Sequence, residues 1–371
     1  MRKIMFHLNC LEQGGAERVV SNLANQFCKE GDEIIVATQW QGENEFTLAE
    51  GVRRIHVGVR ESDAKKSRLT KAFLRVWYLR KLIQEEKPDI VIAFAYKAIY
   101  RLLTATVGMK VPLMIAVRTD PVGHYDRLID KLLIPILYPR VTGAVFQTEG
   151  QRDFFPEYIR NKSCIILNPV TDKYLNAPIP ERREKTVVHS GRLVDFKNQP
   201  MLIEAFVQVH QKYPEYDLKI YGPDSFDGTK ELLESTIKRH GAENYVHLMG
   251  PSDELEIQLT NGAVYAFSSD WEGLPNALVE AMVLGLPIVA TDCPCGGPRT
   301  LMRDGENGLL VPVKDKEAMA AGIMKLIENP EYAEELGMEA RKITESVNGP
   351  AIISQWRAFI EKTIALYEKN R

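Results

Sequence analysis

Short unbroken apolar runs alternate along this chain with longer stretches in which apolar residues recur every three or four positions. The first kind of run suits a strand covered on both faces, the second a helix with one apolar side. In the first half the pattern predicts strands at Lys3–Leu8, Glu33–Thr38, Ile90–Phe94, Leu113–Val117 and Gly143–Gln147. A helix opens at Gly14-Gly15, runs through Cys28 and ends near Gly31. Residues 169–185, PVTDKYLNAPIPERREK, are rich in proline and charge with no apolar period, and read as an interdomain linker. The alternation then restarts with strands at Thr186–His189, Asp217–Tyr221, Tyr245–Leu248, Val264–Ser268, Pro287–Ala290 and Gly308–Val311. Met201–Lys212 and Gly228–Arg239 are helices between the first of these, and Ala351–Lys369 is a final amphipathic helix. Strands alternating with helices predict parallel sheets with covering helices, here twice over.

A length of 371 residues fits two such domains, and 45% hydrophobic with 26% charged residues is the composition of a soluble globular protein. No apolar run approaches the roughly 20 residues of a membrane span. MRKIMFHLNC at the start lacks an extended apolar region and reads as a first strand, not a signal peptide. The cysteines, Cys10, Cys28, Cys164, Cys293 and Cys295, are odd in number and lack metal-ligand spacing, which fits reduced thiols in a cytoplasm. Cys293-Pro294-Cys295 is one residue too short for the usual redox pair.

The net charge of −3 conceals an asymmetry: residues 1–175 carry 26 Lys and Arg against 20 Asp and Glu, and the remainder 21 against 30. The overall balance argues against a nucleic-acid binder. From Ala64 to Lys81, AKKSRLTKAFLRVWYLRK holds seven basic residues and no acid. Leu69, Phe73, Trp77 and Leu82 are read as one apolar row of this helix. Such a segment suits either an anionic membrane surface or a crossover helix with a solvated basic face.

Candidate chemistry lies in the second half. EGLPNALVE places Glu272 and Glu280 eight positions apart, around a small-residue turn that leads into an apolar helix. Backbone N–H groups at a helix start lack intrahelical partners and favour an anion or a hydroxyl-rich ligand. One carboxylate at the mouth and one beside the helix suit a ligand with two polyol ends; a helix with an acidic first turn is the plainer alternative. HSGRLVDFKN, at 189–198, puts Arg192 and Lys197 after a strand and a glycine turn, as in a pyrophosphate clamp or a solvated surface loop. No Asp-x-Asp occurs among the 17 aspartates, so the protein's own cations stand where a metal-dependent sugar transferase commonly holds its ion, and no metal site is expected. Gly14-Gly15 is not G-x-G-x-x-G, and offers either close backbone approach to a bulky group or a simple turn.

Together these segments resemble a retaining glycosyltransferase of family 4. The resemblance runs nearly end to end through QGGAERVV (13–20), AVRTDP (116–121), AVFQTEGQ (144–151), ILNPV (166–170), SGRLVDFKN (190–198), EGLPNALVEAM (272–282) and DGENGLLVPVKD (304–315). It is similar most of all to polysaccharide-building members that use UDP-galactose-type or UDP-N-acetylgalactosamine-type donors. The resemblance implies the GT-B fold, an α/β architecture of two Rossmann-like doubly wound domains facing a central cleft. The expected boundaries are 1–168 for the acceptor domain, 169–185 for the linker and 186–350 for the donor domain, with the helix at 351–371 crossing back to the first. It further implies a UDP-sugar as substrate, no cofactor, and a glycan or polyprenyl-linked saccharide acceptor. A cytoplasmic protein, peripheral on the inner face of the membrane, is the corresponding location.

Arg192 and Lys197 would stabilise charge on the leaving diphosphate, with Gly14 and Gly15 approaching from the other domain. Glu272 would hold donor-sugar hydroxyls beside the N–H groups of Gly273, Leu274, Asn276 and Ala277. The family's second glutamate, here Glu280, binds the ribose hydroxyls. Tyr221 and Gly222, with Met249-Gly250, are placed at the base. The resemblance implies reaction on one face of the sugar, the donor's own phosphate oxygen taking the acceptor proton. Where many relatives carry a histidine, this chain has Arg118, an active-site candidate that cannot act as a base near neutral pH. His7, His124 and His189 read as buried structural histidines. Another GT-B nucleotide-sugar enzyme such as an epimerase, or a non-catalytic nucleotide-sugar-binding protein, is the rival reading.

Overall fold

The computed structural model describes residues 1–369 apart from Gln13, Asp120, 122–124 and Asp126; His124 is therefore outside the described residues, and of Cys295 only the backbone is described. The chain divides into two compact units, Met1–Asn168 with Pro350–Arg371, and Pro169–Gly349.

The first unit is built on a seven-stranded sheet: β1 (Lys3–Leu8), β2 (Glu33–Thr38), β3 (Arg53–His56), β4 (Ile90–Phe94), β5 (Leu113–Ala116), β6 (Gly143–Phe146) and β7 (Ser163–Ile165). Their order is β3-β2-β1-β4-β5-β6-β7, all parallel, with Ile4 of β1 opposite Ile34 and Ile90. Alternation along β1 sends Ile4, Phe6 and Leu8 into one core and Met5 into the other. On the Ile4 face lie α1 (Gly15–Lys29) and the C-terminal helix. The Met5 face is covered by α2 (Arg68–Glu86), α3 (Tyr96–Ala105) and α4 (Leu128–Leu137), through Leu79 and Ile83, Ile99 and Leu102, and Ile134 and Leu137. Cover on both faces is why the strands read as unbroken apolar runs. The strand order reverses between β1 and β4, which is where a doubly wound sheet opens a crevice at its carboxyl edge.

The second unit has a six-stranded parallel sheet, ordered β10-β9-β8-β11-β12-β13. Its strands are β8 (Glu184–Ser190), β9 (Asp217–Tyr221), β10 (Val246–Gly250), β11 (Gly262–Phe267), β12 (Ile288–Thr291) and β13 (Leu309–Val311). The helices that matter for the site are α5 (Gln199–Lys212) and α6 (Asn276–Val283). The C-terminal helix, α7 (Gly349–Lys369), belongs to the first unit. Its Trp356 is fully buried and stacks on Phe94 at 5.4 Å, and Arg357 pairs with Glu30 at 2.5 Å and Asp32 at 2.9 Å.

Two readings of the sequence are corrected, and two strands it did not announce are added. Residues 169–185 lie within the second unit and are anchored to it. Asp172–Leu175 forms a helical turn with Tyr174 buried, Val170 N–H donates to Val347 O at 2.9 Å, and Arg183 donates to Thr260 O and Gly285 O at 2.6 and 2.8 Å. Polar composition hid these anchors. The short strands β3 and β7 carry no fully buried residue; β3 has no apolar run to announce it, and the four apolar residues from Cys164 are read only through the ILNPV motif. Finally, Leu82 does not share a row with Leu69, Phe73 and Trp77. Thirteen positions at 3.6 residues per turn carry it about 220° around the helix, and it is buried while the other three are exposed.

Candidate active site

The carboxyl edge of the second sheet assembles the residues that the sequence singled out. After β8 the chain turns through Gly191 and Arg192 into a short helical turn, Asp195–Lys197. After β11 it runs through Ser268 to Pro275 before α6 begins. The two loops are tied together: Ser268 Oγ donates to Lys197 O and Asp270 N–H to Phe196 O, both at 2.8 Å. Asn198, in the left-handed region at φ 47°, caps α5 through its side-chain oxygen and donates from Nδ2 to Asp270 at 2.8 Å. Phe196 stacks on Trp271 at 4.3 Å.

This stapling brings Lys197 Nζ to 2.5 Å from Glu272 Oε1, with the two side chains only 12% and 14% exposed. Ser269 Oγ also donates to Glu272, at 3.3 Å, and the ammonium lies 5.4 Å from the Phe267 ring. Arg192, by contrast, is exposed and makes no ion pair among the described residues. Its carbonyl accepts from Gln199 Nε2 at 2.9 Å. The pair of cations read from the sequence is thus one charge held inside by a carboxylate and one open to a ligand.

Glu272 stands four residues before the first residue of α6, so its separation from Glu280 is a turn followed by helix, not two helical turns. Pro275 is the N-cap and offers no side-chain cap. The first intrahelical donors are Leu278 and Val279, both to Pro275 O, which leaves Asn276 and Ala277 at the mouth of the helix. Leu274 is buried, and the Gly273 carbonyl packs so closely on Gly297 that a Cβ there would lie 2.1 Å from it. Glu280 is half-buried, on α6, and its charge reaches the buried Tyr174. Burial, then the neighbouring carboxylates led by Glu280, raise the Tyr174 pKa above its ordinary value.

Tyr221 and Gly222 do meet Met249-Gly250: Gly222 N–H donates to Gly250 O at 2.8 Å. Gly222 has φ 145°, and a Cβ there would lie 1.9 Å from Gly191 O, so only glycine lets the ends of β8 and β9 approach. The Tyr221 ring is buried and its hydroxyl donates to Gln258 at 3.3 Å. Beneath the site, His189 bonds Ala266 O through Nδ1 at 2.8 Å while its Nε2 is buried without a partner, and Ser190 Oγ lies 3.1 Å from the Tyr265 hydroxyl. Tyr174, Ser190, Ser269 and Tyr265 were not recognised from sequence. Only the position of Ser190 at a strand's end could have drawn attention.

In the first unit, Gly14 is the extended N-cap of α1 and Gly15 its first residue. The carboxylate of Glu17 lies 2.3 Å from where a Gly14 Cβ would be. Its pKa is raised, chiefly by burial and then by Glu12. Arg118 lies over the rings of Trp356 and Phe94, at 5.3 and 5.5 Å, and Nη1 donates to Asn168 at 3.2 Å. Its Nε and Nη2 are buried without partners, and burial lowers its pKa. In the same unit, His7 donates from Nδ1 to Ala37 O at 2.8 Å and accepts from Arg101 at 3.1 Å, a structural role. Among the described residues no three His, Cys, Asp or Glu side chains are grouped to hold one metal ion.

Two family profiles match in tandem, Glycosyltransferase Family 4 over residues 13–173 and Glycosyl transferases group 1 over residues 172–343. The chain is a glycosyltransferase. The enzyme is similar to an uncharacterized glycosyltransferase of Haemophilus influenzae, 27% identical over 97% of this chain and 100% of that protein. It is also 24% identical, over 97% of this chain and 98% of the relative, to a Campylobacter jejuni α-1,4-N-acetyl-D-galactosaminyltransferase whose name gives a PP-undecaprenol-linked saccharide as its acceptor. Among solved structures, Anabaena HepE in complex with UDP superposes with a TM-score of 0.81 at 20% identity, covering 97% of this chain and 100% of that one. With its two Rossmann-like parallel-sheet units, the glycosyltransferase has the GT-B fold.

Proposed function

We propose that this glycosyltransferase is a retaining, metal-independent member of family 4. It would transfer a hexose or N-acetylhexosamine from a UDP-sugar of the UDP-GalNAc, UDP-Gal or UDP-GlcNAc type to a glycan or polyprenyl-linked saccharide. The observation that carries this reading is the Lys197–Glu272 pair at the mouth of α6. A cation and a carboxylate that neutralise each other in the free site can each take one part of a sugar diphosphate, the phosphate and the sugar hydroxyls respectively. Exposed Arg192 adds a planar donor for the diphosphate. Glu280, near the buried Tyr174, takes the ribose hydroxyls, and Tyr221, Gly222 and Met249-Gly250 border the base.

In the reaction the bond from the anomeric carbon to the β-phosphate oxygen breaks and a bond to the acceptor oxygen forms on the same face. The acceptor proton passes to the leaving phosphate. Preorganised cations aimed at that phosphate are the largest catalytic contribution expected of the protein. Arg118, with two unpartnered nitrogens, is the anion-seeking group of the first unit. The acceptor assignment draws on the Campylobacter relative, and the cations of α2 would hold the enzyme on the inner face of the membrane where such acceptors lie.

The test is turnover of UDP-, GDP- and ADP-sugars in the presence of membrane lipid extract, with the product anomer read by NMR. Transfer from a UDP-sugar with retained configuration is expected. Inversion, or nucleotide release with no glycosylated product, would overturn the reading.

A further inference from the structure

α4 presents its large apolar side chains to solvent. In LIDKLLIPIL, Leu128 is 81% exposed and Leu132 and Ile136 are each 67% exposed, with Ile129 beside them at 57%. At steps of 100° these four positions span about a quarter of the helix circumference. On the opposite side Asp130 is fully buried and accepts from the Tyr96 hydroxyl at 2.6 Å, while Ile134 and Leu137 join the core. The buried contacts therefore fix which side of α4 faces outward. α2 lies on the same face of the sheet, and its first turns show Leu69 at 83% and Phe73 at 67% exposure. Crossover helices run antiparallel to the strands they connect, so α2 and α4 both begin at the carboxyl edge of the sheet. Scattered exposed apolar side chains are ordinary; four large ones on one side of a ten-residue helix, with two more at the start of another helix on the same sheet face, are not.

Charge decides between a lipid and an apolar protein partner. Lys65, Arg68, Lys71 and Arg75 belong to the first turns of α2 and the segment before it and make no ion pair among the described residues; Lys71 and Arg75 lie about 120–160° around the helix from Leu69 and Phe73, while Lys65 and Arg68 are exposed at its start, and Arg127 and Lys131 flank the start of α4. Basic groups at the starts of both helices, with Leu and Ile side chains protruding from α4, complement an anionic bilayer, headgroups to the cations and acyl chains to the apolar tips. A single weak signal gives only marginal, reversible membrane binding, whereas two combined give stable attachment.

We propose that α4 inserts Leu128, Ile129, Leu132 and Ile136 into the acyl boundary of an anionic bilayer, with the cations of α2, on the same face of the sheet, meeting headgroups. The inference rests on the lipid-linked acceptor reading above and extends it. α2 supplies the salt-sensitive part of the attachment and α4 the part that survives screening.

The experiment is co-sedimentation of the full-length protein with phosphatidylglycerol–phosphatidylcholine vesicles, at low salt and at about 1 M salt, where the screening length falls to about 3 Å. Three proteins are compared: wild type, a variant with Leu128, Ile129, Leu132 and Ile136 changed to Gln, and a variant with Lys65, Arg68, Lys71 and Arg75 changed to Gln. The α4 variant should lose the salt-resistant binding by roughly tenfold or more, given the apolar area withdrawn from lipid. The α2 variant should lose mainly the low-salt increment. Unchanged UDP binding and melting temperature show that either variant is folded. Equal binding of wild type and α4 variant at both salts overturns the proposal. So does a lipid-free wild-type dimer that becomes monomeric in the α4 variant, which would make a second copy the occupant. Transfer to a short-chain, water-soluble acceptor is measured alongside: its absence in wild type would sink the proposed function and leave the vesicle result standing.

Discussion

Lys197 Nζ and Glu272 Oε1 stand 2.5 Å apart in a mostly buried pocket, held there by loops that hydrogen-bond to each other and not by the pair itself. The geometry is therefore preorganised before any ligand arrives. The loss of one preorganised donor from such a site typically costs about 10²–10³ in turnover.

The two glutamates should separate in their effects. Glu272→Ala is expected to lower kcat by about 10²-fold or more while UDP still binds, because it pairs with Lys197 and, in the proposed function, holds the donor sugar. Glu280→Ala should instead weaken UDP binding. Calorimetric titration of UDP alongside steady-state kinetics distinguishes them; equal loss of UDP affinity in Glu272→Ala and Glu280→Ala would refute the assignment.

Arg118 offers a contrast between stability and function. A buried guanidinium with unpartnered nitrogens is costly to desolvate, and replacing such groups by apolar ones of similar volume is often neutral or stabilising. Arg118→Met is thus expected to melt no lower than the wild type, with activity reduced by about 10²-fold if the guanidinium meets an anion during the reaction. A clear fall in melting temperature with activity per folded molecule intact would show that Arg118 serves only to pack against Phe94 and Trp356.

The central strands were legible from sequence because both sheet faces are covered, which leaves continuous apolar runs such as IVIAF at β4. The Lys197–Glu272 neighbourhood was legible as two separate motifs, but not as a pair, since the loops that join them use backbone groups of Phe196 and Lys197 and the hydroxyl of Ser268. Tyr174 was lost because a buried tyrosine set among prolines and charges has no periodic neighbour. The outward side of α4 was equally hidden: nothing in LIDKLLIPIL says that Asp130 is the buried residue until Tyr96 is seen to bond it.

Activity should survive excess EDTA. In the proposed function the protein's own cations, Lys197 and Arg192, neutralise the diphosphate in place of a divalent ion, and their charge does not depend on a chelatable group. Initial rates in EDTA within about twofold of those in added magnesium or manganese are expected, since the phosphate contacts are charge-assisted bonds from side chains. Complete loss in EDTA with recovery on adding metal would reveal an ion site that these residues do not form.

Stability should fall with acid through two buried histidines. Burial, helped by the charge of Arg101, lowers His7 to about 3, and burial, with Lys197 adding to it, lowers His189 to about 4, from an ordinary value of 6.5. Each ring is neutral when folded and takes a proton when unfolded, so the unfolded chain binds more protons below pH 6.5. The stabilisation is fully present above that value and drains away as pH falls towards the folded values, at up to about 1.4 kcal/mol per pH unit for each group. His189→Asn retains a donor that can reach Ala266 O but has no titrating ring. Its melting temperature should start lower than that of the wild type at pH 7 and decline less steeply between pH 6.5 and 4.5. Carboxylates shared by both proteins cancel in that comparison of slopes. Parallel slopes would mean that His189 is not buried as a neutral ring, and that the floor of the nucleotide-sugar site is open to water.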